Sequence, residues 1–341
     1  MLRKFKERCR FAAPVVIFSA ITVATTSNAT AQPLSWPPPP CGDANYGCVD
    51  LDVGAMGHQQ LSLSPSNDYR LHLPSDRAQI GGITISGGRN VILVGGEIDL
   101  IAPCNAFLAS SCHGIDISKP TSGSVFIEGV WIRNPQDPFL FSTGDGIIVD
   151  DLASAPNDIT LQNIRVDGIS GCAPVGFDYA DVYQPFAAPG AAQRIDRLTA
   201  TTNCGGLAVD PDLAYSRDNT SSLNIIIKNT NINVLPNKYL GNTNRYAYWF
   251  TYGSRSCYSG PISLTNVYAQ EPDGTLAVNS VWPDTDQPAA CVSVWNFATG
   301  QLTFPNSPQI SGYITAGLPS GGDFVPAGVA GIGYVSPGYQ Q

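Results

Sequence analysis

Asp145, Asp181 and His113 are the side chains of this sequence best suited to moving protons, and Asp178 and Arg194 stand close to Asp181 along the chain. Two carboxyl groups about 5–10 Å apart can break a glycosidic bond, one giving a proton while the other attacks or activates water. A carboxyl beside another, partly shielded from water, holds its proton longer and suits the acid's part. The imidazole of His113 can act as acid or base near neutral pH. Asp116, Tyr179, Tyr183, Gln184 and Arg197 would supply the polar and aromatic surface that holds a substrate. Plainer roles compete with these. Asp145-Gly146 is an ordinary turn pair, a stacked Asp column can hold Ca²⁺ structurally, and His113, Arg194 and Arg197 can be surface hydrogen-bond or ion-pair partners.

These residues are far apart in sequence, so only a repeating coil can gather them. The pattern apolar, any, apolar, any, turn residue, two free positions, apolar occurs five times in full and once in a weaker copy through Ile195, Arg197 and Ala200, with turn positions at 95, 129, 163, 197, 229 and 266. The steps are 34, 34, 34, 32 and 37 residues, and a near-constant period of this size marks a stacked repeat. Within each unit the apolar residues alternate at period two and are mostly Val and Ile, so the units are strands. The turn residues are Gly95, Gly129, Asn163, Arg197, Asn229 and Asn266. Gly and Asn enter the left-handed backbone region at least cost, and one such residue between two short strands turns the chain sharply. Arg197 departs from that rule.

A further short strand per unit is predicted over 114–118, 145–149, 181–184, 206–209, 247–251 and 278–282. Three strands per repeat, each beside its counterpart one repeat onward, predict an all-β fold, a right-handed parallel β-helix with rungs about 4.8 Å apart. Aligning the short strands on their first residues puts His113, Asp145 and Asp181 in one column, and Asp116 with Gln184 in a neighbouring one. The inserts 102–113, 134–143 and 170–181 arrive at this strand and would wall a groove over it. In the run Tyr246, Tyr248, Trp249, Phe250 and Tyr252, period two must send half of the rings into the core.

This organisation resembles the pectate lyase and polygalacturonase superfamily over roughly residues 85–285, with Asn163, Asn229 and Asn266 at the sharp bend. The resemblance implies a ladder of stacked Asn side chains and a polysaccharide bound in the groove. The run Ser142-Thr143-Gly144-Asp145-Gly146-Ile147 is similar to the Asn-Thr-Asp motif of polygalacturonases, in distorted form. That family's Asp-Asp, Gly-His-Gly and Arg-Ile-Lys motifs have no counterpart at matching rungs, and Arg194-Ile195-Asp196 carries Asp where the family has Lys. A lyase of this superfamily commonly uses an Arg base, with Ca²⁺ or another cation on the substrate carboxylate. Arg194, Arg197, or Tyr179 acting with His113 would fill that role, and Ca²⁺ is the one cofactor implied. The expected function is therefore a secreted polysaccharide-binding protein, a carbohydrate-active lyase or hydrolase acting on an extracellular glycan. The alternative is a non-catalytic envelope or adhesion-type structural β-helix protein.

Composition bounds the partners. Residues 1–31 hold Arg3, Lys4, Lys6, Arg8 and Arg10, an apolar run from Phe11 to Ala24, and Ala29-Thr30-Ala31. They read as a signal peptide cleaved near Ala31, which predicts a secreted or periplasmic protein with no later membrane span. Loss of that segment removes five basic residues and Glu7, moving the formal charge from −9 to −13. Such a surface repels nucleic acid and anionic lipid. Cys9 leaves with the leader, and eight cysteines remain in an exported chain. Nearest-neighbour pairing is one plausible connectivity: Cys41–Cys48, Cys104–Cys112, Cys172–Cys204 and Cys257–Cys291. The expected layout is a Pro-rich arm and N-terminal cap over 32–76, the β-helix over 77–285, and a Gly/Pro-rich C-terminal tail over 286–341, as a monomer.

Overall fold

Alternating Val, Ile and Leu yield strands with one buried face, and among the described residues there is no helix at all. The computed structural model of the protein describes residues 33–101, 103–104, 112–119, 123–138, 140–149, 158–171, 180–185, 192–208, 224–236, 246–250, 260–271, 281–282 and 293–339. No helix in these residues is long and apolar enough to cross a membrane.

The strands form two sheets. A long sheet runs in parallel through Gly47–Asp52, Asn67–His72, Val91–Val94, Ser124–Glu128, Asp158–Ile169, Ala192–Thr202, Asn224–Val234 and Ile262–Gln270. A short sheet runs in parallel through Gln59–Leu63, Ile83–Gly87, Ile115–Lys119, Ile147–Val149, Tyr183–Pro185, Gly205–Ala208, Tyr246–Trp249 and Val281–Trp282. Each strand lies beside its counterpart one repeat later. One column therefore reads Leu93, Ile127, Leu161, Ile195, Ile227 and Leu264, and all six are buried. Each such side chain contributes about 1.5–3 kcal/mol on leaving water. The neighbouring column has one polar intruder, Gln193, between Ile159 and Ile225. It is fully buried, and neither atom of its amide has a hydrogen-bond partner among the described residues.

Parallel pairing already begins at Gly47, upstream of the expected start of the stack at 77. At the other end, Val294–Asn296 and Gln301–Thr303 pair antiparallel, and Gln301–Thr303 pairs antiparallel with Ile314–Ala316. That reversal covers the last rung, whose open edge would otherwise invite pairing with another chain.

All six predicted bends adopt positive φ: 69° at Gly95, 67° at Gly129, 53° at Asn163, 54° at Arg197, 44° at Asn229 and 54° at Asn266. The ladder implied by the Asn bends forms, with a detour at Arg197. Asn266 Nδ2 donates to Asn229 Oδ1 at 3.0 Å, and Asn229 Nδ2 donates to Asp196 Oδ1 at 2.7 Å. Arg197 pairs with Asp196 at 2.8 Å and donates through Nε to Asn163 Oδ1 at 2.9 Å. Asn163 Nδ2 then donates to the hydroxyl of Tyr334, which donates to Glu128 Oε1 at 2.5 Å.

Tyr334 belongs to the C-terminal tail, which runs back along the stack. The Phe324 and Val325 amides donate to Asn231 Oδ1 and Thr199 Oγ1, Gly331 bonds to the backbone of Gly96 and Gly129, and Ser336 reaches Glu128. The Tyr334 ring fills the space beside Gly129, where an added Cβ would lie 2.2 Å from it. Glycine at that bend therefore answers both to φ and to the tail. Burial pushes the Glu128 carboxyl up, against the hydrogen bonds from Tyr334 and Ser336. The N-terminal arm crosses the same region. Ser35 and Trp36 donate their amides to Gln162 Oε1, Ser35 Oγ donates to Asp196, and Arg197 donates to the Pro33 carbonyl.

Disulfides join Cys41 to Cys48 and Cys104 to Cys112, as nearest-neighbour pairing expects, and Cys204 is also disulfide-bonded. Cys172, Cys257 and Cys291 lie outside the described residues.

Candidate functional site

On the short sheet, period two sends Ile83, Ile85, Ile115, Ile117, Ile147 and Val149 into the core. The alternate positions face outward and fall in register: Thr84, Asp116, Ile148, Gln184, Ala208 and Trp249. Asp116 and Gln184 thus share a column, as expected, with Ile148 between them. Thr84, Gln184 and Trp249 are half-buried, while Asp116 is 3% exposed. From Thr84 to Trp249 the column spans five steps, about 24 Å.

The first rungs of this face hold a proton-handling group. His58 precedes Gln59–Leu63 and places Nδ1 2.8 Å from the Gly81 carbonyl and Nε2 2.7 Å from Thr84 Oγ1. Thr84 Oγ1 in turn donates to Asp116 Oδ2 at 3.1 Å. A carbonyl only accepts, so Nδ1 carries a hydrogen. The Thr84 hydroxyl thus links the His58 imidazole to the Asp116 carboxylate.

A second column lies at the start of these strands. The register that pairs Ile115 with Ile147 and Ile147 with Tyr183 sets His113, Asp145 and Asp181 opposite one another. Their chemistry is turned inward. The Asp145 backbone N–H donates to His113 Nδ1 at 3.0 Å, and Asp145 Oδ2 lies 3.2 Å from the same nitrogen. Asp145 Oδ1 accepts the Asp181 N–H at 2.6 Å. Asp145 Oδ1 is thus engaged within the stack, and Oδ2 lies against the His113 ring. Asp181 is 1% exposed, and its carboxylate occupies the space over Gly205, where an added Cβ would fall 1.5 Å from Oδ1. The Asp145 carboxylate thereby ties one rung to the next.

The remaining predicted site residues scatter. Tyr183 points into the core and is fully buried; burial pushes its phenol far up, and its hydroxyl has no hydrogen-bond partner. Arg194 and Arg197 lie on the long sheet, because the chain leaves the short sheet after Pro185 and re-forms a strand at Ala192. Arg194 pairs there with Asp158 at 2.9 Å, and Arg197 is spent on the bend network. Asp178 and Tyr179 lie outside the described residues. The aromatic run divides as period two requires: Tyr248 and Phe250 stack in the core with centroids 6.3 Å apart, and Trp249 faces outward. Among the described residues no three or more His, Cys, Asp and Glu converge to hold a metal ion.

His58 and Thr84 were not among the predicted residues, although a signal exists. Ile83-Thr84-Ile85 repeats the pattern of Ile115-Asp116-Ile117 one period earlier, so Thr84 had to stand beside Asp116. Comparison with protein-family models, with curated protein sequences and with solved structures finds no match to this chain.

Proposed function

We propose that the protein is a right-handed parallel β-helix, exported from the cell, which binds an extracellular polysaccharide along the outer face of its short sheet and cleaves it there by proton transfer through His58. The handedness follows the strong rule for crossovers between parallel strands of one sheet, which are right-handed in about 98% of cases. The observation that carries the functional reading is the single outward column. It presents the Thr84 hydroxyl and the Asp116 carboxylate, with the His58 imidazole bonded to Thr84 from beside the column, then a half-buried amide at Gln184, then an indole at Trp249. Amide groups bind sugar hydroxyls, and an indole face stacks on the apolar face of a pyranose ring. His58 is the catalytic residue in this reading, its Nε2 reaching substrate when the Thr84 hydroxyl turns to Asp116 alone, so that Asp116 is a positioning residue acting through Thr84. Acid–base transfer of this kind contributes about 10²–10⁴-fold to rate.

The test is incubation of the purified protein with uronate and neutral polysaccharides, with and without Ca²⁺. Chain shortening reports cleavage, and a conjugated double bond in the products separates elimination from hydrolysis. His58→Gln is expected to lower cleavage by about 10²-fold or more while binding persists. Full activity in that variant would reject the site; neither binding nor cleavage of any glycan would reject the function.

A second reading draws on a different observation. Asp145 gives Oδ1 to the Asp181 N–H, and Asp145, Asp116 and Asp181 are all buried. Among the described residues this face carries no open carboxylate pair, which suits a non-catalytic envelope or adhesion protein. Glycan binding with no shortening under any condition is the result that favours it.

A further inference from the structure

Trp36 and Pro37 of the N-terminal arm roof a cavity of about 280 Å³ on the long sheet, with Phe126, Thr160, Asp158 and Arg194 in its walls. One side of the indole carries the Lys228 ammonium, 4.9 Å from the ring centroid. Arg194 Nη1 donates to Asp158 Oδ2 at 2.9 Å, so that pair is neutral as a unit. The other oxygen, Asp158 Oδ1, is buried and has no hydrogen-bond partner among the described residues. Asp158 and Arg194 stand together in the cavity wall, where a ligand hydroxyl can add to the bonding positions their ion pair leaves open.

We propose that this cavity is a second carbohydrate subsite, taking one neutral pyranose ring of a glycan. An indole and the Phe126 ring offer apolar walls, while a carboxylate acceptor, the Arg194 guanidinium and the Thr160 hydroxyl offer polar anchors. That combination matches a sugar ring, which has an apolar face and a rim of hydroxyl donors. Neutrality follows from the electrostatics. A uronate would bring a second carboxylate to Asp158 while the nearest guanidinium is already paired. The proposal rests on the reading of the protein as a glycan binder, but its site is on a different sheet from the His58 column.

Isothermal titration of the purified protein with cellotriose, maltotriose and xylotriose, and with trigalacturonate as the charged control, tests it. At least one neutral trisaccharide should bind at two classes of site. Trp36→Leu and Asp158→Ala should each weaken one class by about tenfold or more, and Trp249→Ala should weaken only the other. Circular dichroism melting checks that each variant folds, and Asp158→Ala alone decides the matter if Trp36→Leu does not. Unchanged binding in the folded variants, or binding of trigalacturonate alone, overturns the subsite and leaves the groove standing. Binding of no glycan at either place removes the proposed function as well.

Discussion

Gln193 sits where every neighbour in its column is aliphatic, with two amide atoms unsatisfied in the core. Tyr183 hides an unpartnered hydroxyl in the same way on the short sheet. A buried polar group without a partner costs about 1–3 kcal/mol, whereas an apolar group of similar shape costs nothing of the kind. Gln193→Leu and Tyr183→Phe are therefore expected to stabilise the protein, each by about 1 kcal/mol or more, read as a higher urea midpoint at constant slope. A lower midpoint in both would mean that these groups have partners in solution. Residue roles were the least legible layer of the sequence. Which column a residue joins follows from the period, and His113, Asp145 and Asp181 do stand together. Whether a carboxylate faces solvent or grips the next backbone N–H, as Asp145 does, depends on rotamer and local burial, which periodicity does not encode.

At the scale of the element, the left-handed bend carries most of the information. It is a one-residue event set by local sterics, so its position was readable even at Arg197, where the residue type argued against it. Gly129 shows the other side of this. Gly129→Ala faces two penalties, the left-handed φ of 67° and a Cβ 2.2 Å from the Tyr334 ring. Only the second should vanish when the ring is removed. In a double-mutant cycle with Tyr334→Ala, the cost of Gly129→Ala should fall to about 1–2 kcal/mol, the intrinsic cost of a left-handed L-residue. Additive effects would show that the tail does not bear on this bend. What the repeat could not reveal is the neighbour above the bends. The tail obeys no period, so its docking on Gly95, Gly129 and Asn163 left no trace in the pattern of alternation.

At the scale of the whole molecule, two non-repetitive segments bind a repetitive stack. The arm at Ser35 and Trp36 holds Gln162 and Asp196, and the tail holds Thr199, Asn231, Gly129 and Glu128. The two meet where Gly338 packs on Leu34. Deleting residues from Leu318 onward should lower the urea midpoint and expose the amides of the bends at 95–96 and 129–131 to hydrogen exchange, with the short sheet still protected. Equal loss of protection in both sheets would show that the stack has no stability apart from its strap.

Tyr334 lies 206 positions from the carboxylate it grips. A polypeptide built from its N-terminus would assemble its early strands long before that phenol was made. Those strands would wait with their sharp corners uncovered, and the clasp would shut only once synthesis had finished.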